Sequence, residues 1–135
     1  RADGRCIVTR SRATAKKAGT SFERRVADYL RDVVDDRIDR RAKTGAKDRG
    51  DIGGVRIWTQ RVVLECKDVS KIALSQWATE AEVERGNDDA LAGVVVHKRR
   101  GKGRAADQWV TMTLGDFAAI LKGDRDHLVD SEVAA

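Results

Sequence analysis

The chain has 135 residues, 41% of them hydrophobic and 36% charged, with 27 Lys+Arg against 22 Asp+Glu and a formal net charge of +5. That length and apolar content suit one domain with a core of ordinary size. No apolar run approaches the ~18 residues of a membrane span, and the positive charge is concentrated: residues 1–113 hold 25 Lys+Arg against 17 Asp+Glu, residues 114–135 hold 2 against 5. A basic body with an acidic tail favours a nucleic-acid partner over a membrane.

Residues 1–19 carry Arg1, Arg5, Arg10, Arg12, Lys16 and Lys17 against Asp3 alone. They predict a basic arm, either a solvated tail or a segment that orders on a polyanion. A helix is expected from about Thr20, because Phe22, Val26, Tyr29, Leu30, Val33 and Val34 recur at helical spacing. Thr20-Ser21-Phe22-Glu23 matches a capping box, which would give Glu23 a structural role. Glu23 also shares a flank with Val26, Ala27 and Leu30, so it can equally face a site.

Arg40, Arg41, Lys43, Lys47 and Arg49 lie in a basic, glycine-containing loop or hairpin that leads into Gly50-Asp51-Ile52-Gly53-Gly54. Glycines there permit tight turns and close approach of backbone to phosphate. Residues 55–58 and 61–67 read as strands joined by a turn at Thr59-Gln60. With a period of two, Val62, Leu64 and Cys66 face one side of the second strand, and Val63, Glu65 and Lys67 face the other. Asp51 and Glu65 can then converge at one end of a small sheet. Taken singly, Asp51 beside glycines is also a common turn residue, and an acid and a base two apart on a strand are commonly a weak surface pair.

A second helix is expected over residues 73–85, with a loose stripe of Ile72, Trp77, Ala81 and Val83 and a stop at Gly86-Asn87. Leu91 to His97 reads as a buried central strand. Lys98 to Arg104 is a loop with five basic residues and no acid. Gln108 to Thr113 reads as a strand and Leu114 to Leu121 as a closing helix, followed by a frayed polar tail from Lys122. The boundaries expected are an arm over 1–19, a domain over 20–122 and a tail over 123–135. The fold class is α/β (α+β), one mixed central sheet flanked by helices.

Cys6 and Cys66 lack metal-binding spacing, and Cys66, inside a buried strand, reads as a small reduced core residue. With no signal-peptide pattern at the start, a cytoplasmic setting is expected, the host cytoplasm if the protein is phage-encoded.

The joint pattern of Glu23 on a helix, Gly50-Asp51-Ile52-Gly53-Gly54, a hydrophobic strand into Glu65-Cys66-Lys67, and then a helix resembles the PD-(D/E)XK nuclease superfamily. Its Holliday junction resolvase branch, known from archaea and phages, is the most similar. The resemblance covers roughly residues 20–97 and implies a restriction-endonuclease-like domain. Gly50 stands where the family's usual proline precedes the aspartate. The resemblance implies that Asp51 and Glu65 bind Mg²⁺ (or Mn²⁺ in its place), that the Cys66 backbone carbonyl adds a ligand, that Glu23 supports the metal or its water, and that Lys67 assists the nucleophile. Gln76, on the following helix, is a further polar candidate. It also implies a homodimer that nicks two symmetric strands of a four-way DNA junction.

Hard oxygen ligands suit Mg²⁺ or Mn²⁺ better than zinc. Arg24, Arg40, Arg41, Lys43, Lys47 and Arg49, together with Lys98, Arg99, Arg100, Lys102 and Arg104, are the expected phosphate contacts. Trp58 and Trp109 are expected to pack or to line an interface rather than to stack on bases, and Trp77 to lie in the core. The alternatives are another endonuclease of the same superfamily, of repair or restriction type, and a non-catalytic DNA-binding protein with a nuclease-like fold. A small RNA-binding protein ranks behind both, because no aromatic-basic RNA motif is present.

Overall fold

The computed structural model describes residues 11–42 and 47–128; Cys6 and Lys43 lie outside the described residues. Helix α1 spans Arg12–Val33. The strands are β1 (Asp39–Arg40), β2 (Ile52–Gly53), β3 (Arg56–Ile57), β4 (Gln60–Lys67), β5 (Ala92–His97) and β6 (Trp109–Thr111). Helix α2 spans Leu74–Asp88 and helix α3 spans Leu114–Lys122. The sheet runs β1-β2-β4-β5-β6, and β3 forms a hairpin with β4. Among the described residues only the β4–β5 pair is parallel, joined through α2; the other pairs are antiparallel. This is the mixed sheet flanked by helices expected from the order of elements.

The period of two in β4 divides the core. Val62 and Leu64, with Val94 and Val96 of β5, pack against Phe22, Val26 and Ala27 of α1. Val95, on the opposite face, packs with Trp77 and Ala81 of α2. Glu65 and Lys67 alternate onto this second face, beneath α2.

Helix α1 begins eight residues before the expected start. Ser11 is its N-cap, its side chain accepting from the Thr14 backbone N–H at 3.1 Å, so Thr20 sits inside the helix and the Thr20–Glu23 capping box does not form. Helix α2 runs through Gly86 and Asn87, and Asp89, with φ of 50°, caps it in the left-handed region. A side chain at Gly86 would meet nothing within 4 Å, so the glycine lowers propensity there without breaking the helix. Ile72 and Val83, expected on the packed stripe, are exposed; the buried residues of α2 are Trp77, Ala81, Glu84 and Asp88.

The turn between β3 and β4 is Trp58-Thr59, one residue earlier than expected, with Trp58 at φ of 57° and 91% exposed. The Trp58 ring therefore stands in solvent rather than in the packed domain. The segment after Lys122 is anchored rather than frayed as far as residue 128. Arg125 Nη1 donates to Leu91 O and to Asp116 Oδ1, at 2.7 and 2.8 Å.

Candidate metal centre

The register of β2 on β4 sets Ile52 opposite Leu64, and Asp51, the residue before β2, lies alongside the Leu64–Cys66 stretch of β4. The Asp51 N–H donates to Leu64 O at 2.8 Å, and the Cys66 N–H donates to Asp51 Oδ2 at 2.8 Å. Both bonds tie the aspartate to β4 by main chain. Gly50 makes this approach possible. Its φ is +94°, and a Cβ there would lie 2.8 Å from Val63 Cγ1 and 2.9 Å from Leu64 O.

Asp51 is 4% exposed and Glu65 9%. Burial, followed by the charges of Asp51 and Glu84, pushes the Glu65 carboxyl up to about 10. Burial is also the largest influence on Glu84, raised to about 7. Glu65 Oε1 and Glu84 Oε1 are buried without a hydrogen-bond partner. Carboxylate oxygens of Asp48, Glu65 and Glu84 lie within 4.8 Å of one another. At that distance two ionised carboxylates repel by roughly 3–4 kcal/mol at an effective dielectric near 20. The Glu65 and Glu84 side chains hydrogen-bond to each other when one carries a proton, and their unpartnered Oε1 atoms fit a hard cation and its oxygen-rich coordination.

Lys67 Nζ stands 3.6 Å from Glu65 Oε2 and 2.8 Å from Glu80 Oε1. Burial alone would lower its pKa, but the hydrogen bond to Glu80 and the charge of Glu65 outweigh burial, so the net direction is upward. Lys67 is held as an ammonium, suited to balance negative charge and not to accept a proton.

The other expected site residues fall in different places. Glu23 is half-buried on the α1 side of the sheet. Its Oε1 accepts from Arg40 Nε and Nη2 at 3.3 and 3.2 Å, and its charge bears on Cys66. It is not one of the three carboxylates grouped around Glu65. Gln76 is exposed and donates to Glu80 Oε2 at 3.3 Å, so it reaches Lys67 only through Glu80. Burial pushes the Cys66 thiol up, as suits a core cysteine.

Asp48, Glu80 and Glu84 did not emerge from the sequence. Glu84 lies on the buried line Trp77-Ala81-Glu84-Asp88 of α2. The close seat of that helix on the sheet comes from Gly93 in β5, where a Cβ would lie 2.6 Å from Ala81 O.

His97 is buried, with Nε2 2.7 Å from Thr111 Oγ1 and its ring 5.3 Å from that of Trp77. Burial lowers its pKa, so it is a neutral packing residue beside the centre.

The basic residues divide into committed and exposed groups. Arg41 pairs with buried Asp88 at 3.3 Å, Arg24 with Asp39 at 3.1 Å, and Arg40 with Glu23. Lys47 and Arg49 are exposed. In the 98–104 loop the backbone supplies acceptors. Lys98 Nζ donates to Lys102 O, Gln108 Nε2 to Lys102 O and Arg104 O, and Arg25 of α1 to Gly103 O. Arg100 reaches Ser70 O, Arg99 lies 4.5 Å from the centroid of the half-exposed Trp109 ring, and Arg104 lies 3.7 Å from Asp107. Lys102 is exposed. An open groove of about 550 Å³ along α1 is lined by Lys16, Lys17, Thr20, Ser21, Arg24 and Arg40, with Ala13.

No described helix is long and apolar enough to cross a membrane. Comparisons with protein-family models, curated proteins and solved structures found no match.

Proposed function

We propose that this protein is a divalent-metal-dependent endodeoxyribonuclease acting on branched DNA, a Holliday junction resolvase in its preference for four-way junctions. The observation that carries the hydrolytic reading is the seat of buried Asp51 on the Cys66 N–H next to buried Glu65, with Lys67 beside Glu65 and Glu65 Oε1 left unpartnered. The preference for junctions, and a homodimer acting on two strands, are what the resemblance to the Holliday junction resolvase branch implies.

Asp51 and Glu65 would hold Mg²⁺ or Mn²⁺, with the Cys66 carbonyl at the same strand end. When bound, such an ion supplies charge neutralisation and a water of lowered pKa. In hydrolysis a water oxygen would bond to phosphorus and give up a proton to solvent, the bond from phosphorus to one bridging oxygen would break, and the departing oxygen would take up a proton. Lys67, kept protonated between Glu65 and Glu80, sets positive charge where the phosphoryl oxygens gain negative charge. The basic groove of α1 and the 98–104 loop offer contacts to the phosphate backbone, which position a duplex without reading its sequence. The setting is cytoplasmic on this reading.

The test is cleavage of a strand-labelled four-way junction and a matched linear duplex, with Mg²⁺ or EDTA, by wild type, Glu65→Ala and Lys67→Ala. Paired symmetric nicks in the junction alone, lost with EDTA and in both variants, support the reading. Equal cutting of the duplex removes the junction preference. Binding without cutting under Mg²⁺ or Mn²⁺ replaces the enzyme with a non-catalytic DNA-binding protein.

A further inference from the structure

Glu84 of α2 is 5% exposed, and its Oε1 is buried without a hydrogen-bond partner. It meets Glu65 from the sheet and Asp48 from the loop before β2, with one carboxylate oxygen of each within 4.8 Å of the others. The neighbouring cations pair with other carboxylates, and of them Lys67 also reaches Glu65. Lys67 lies closer to Glu80 than to Glu65, and Arg41 and Arg61 are drawn to Asp88. Two oxygens on opposite sides of a hard dication, each about 2.1–2.4 Å from it, are about 4.2–4.8 Å apart. The triad therefore has the span of a coordination shell.

Asp51 lies outside this triad. Its Oδ2 accepts the Cys66 N–H, and it meets Glu65 from the β2 side. Glu65 thus stands between two acidic partners that approach from different elements, Asp51 from the position just before β2 and Glu84 from the overlying helix. With Asp48, three carboxyl groups surround that of Glu65, and the ammonium of Lys67, 3.6 Å from Glu65, is set against them.

We propose that Asp48, Glu65 and Glu84 form a divalent-cation seat of their own, sharing Glu65 with the Asp51 side, so that the centre takes two cations per chain. This deepens the proposed nuclease reading of the same site and assigns ligand roles to Glu84 and Asp48. Glu84 joins α2 to the sheet through the ion, and Asp48 closes the seat from the solvent side. Asp48 is exposed, and its Oδ1 accepts the Gly50 N–H at 2.9 Å, so the loop holds it in place.

The test is Mn²⁺ binding to the chelator-treated full chain, with stoichiometry read by calorimetry and by the electron paramagnetic resonance of free Mn²⁺. Wild type, Glu84→Gln, Asp48→Asn, Asp51→Asn and the same-helix control Glu82→Gln are compared, with circular dichroism on each. The expected result is two ions for wild type and Glu82→Gln. Glu84→Gln and Asp48→Asn should weaken one ion at least tenfold and keep the other, and Asp51→Asn should weaken the other. Asp48→Asn alters an exposed side chain, so it reads the seat even where Glu84→Gln fails to fold.

A single ion that Asp51→Asn removes and Asp48→Asn and Glu84→Gln leave untouched overturns the seat while the nuclease reading stands. An ion that depends on Glu84, on a protein that cuts no DNA, keeps the seat and overturns the nuclease. No bound ion at all, with Glu84→Gln more stable than wild type, replaces the seat with a proton-sharing carboxyl pair.

Discussion

Asp51 Oδ2 accepts the backbone N–H of Cys66 at 2.8 Å, fifteen residues away along the chain. One carboxylate oxygen thereby fixes the strand end that presents Glu65 and Lys67 on either side of Cys66. The residue proposed as a metal ligand also holds its neighbours in register.

That double role separates two substitutions. Asp51→Asn keeps an oxygen for the Cys66 N–H and removes the charge. It should abolish cleavage and leave the denaturation midpoint near that of wild type. Asp51→Ala strands a buried donor and should in addition cost about 1–3 kcal/mol. Urea denaturation beside a junction-cleavage assay distinguishes them; equal stability of the two variants would remove the structural role of Oδ2.

Stability of the metal-free protein should depend on pH in a defined direction. Glu65 and Glu84 have folded values of about 10 and about 7, against an ordinary value of 4.5. Between 4.5 and the folded values the native state holds more protons than the unfolded state, so stability falls as pH rises. Their contribution is complete below pH 4.5, declines through about 7 as Glu84 ionises and declines again toward 10 as Glu65 ionises. Thermal melts in EDTA from mildly acidic to alkaline pH test this, and saturating Mn²⁺ should flatten the slope. A Tm that rises over the alkaline half of that range in Glu65→Gln and wild type alike would count against it.

Gly93 and Gly86 make opposite predictions. Gly93→Ala sets a methyl 2.6 Å from Ala81 O, against backbone that cannot rotate away. It should cost about 1–3 kcal/mol as overpacking and weaken Mn²⁺ binding by lifting α2 and Glu84 from the sheet. Gly86→Ala, in open space inside the same helix, should stabilise by about 0.5–1 kcal/mol with Mn²⁺ affinity unchanged. Paired denaturation and Mn²⁺ titrations decide both.

Salt dependence tests the DNA face. Neutralising Lys98, Arg100 and Lys102 together should lower the slope of log K against log salt by about 0.9 for each duplex phosphate that these side chains pair with in the wild type. Arg41→Gln, whose guanidinium pairs with Asp88, should leave the slope unchanged. Fluorescence anisotropy with labelled DNA over a salt titration measures it; a slope unaltered in the triple variant removes the loop from the interface.

Strand β4 was legible residue by residue. Its alternation assigns Val62, Leu64 and Cys66 to one face and Glu65 and Lys67 to the other, because a pleated strand turns side chains over every residue. The wholly apolar run before His97 marked β5 as central, and every residue of β5 is buried. Helix α3 was legible as a helix, yet Leu114, Phe117 and Leu121 stay exposed while Asp116 is buried against the Gly93 N–H at 2.9 Å. A local pattern cannot tell which side of a short helix meets the sheet.

Strand alternation is a local rule, and it suffices to place one half of the candidate centre, Glu65 and Lys67, on one face of β4 from the amino-acid order, whereas the contact that seats Asp51 depends on β2, a short strand the pattern did not mark. The other half comes from packing between distant segments. Glu84 falls in line with Trp77, Ala81 and Asp88 on a buried face whose apolar signal two carboxylates erase, so periodicity reads it as surface. Backbone contact between α2 and Gly93 turns that face inward, and the loop before β2 brings Asp48 to it. Burying an acid costs free energy unless something compensates it, a cost that local sequence pattern does not encode.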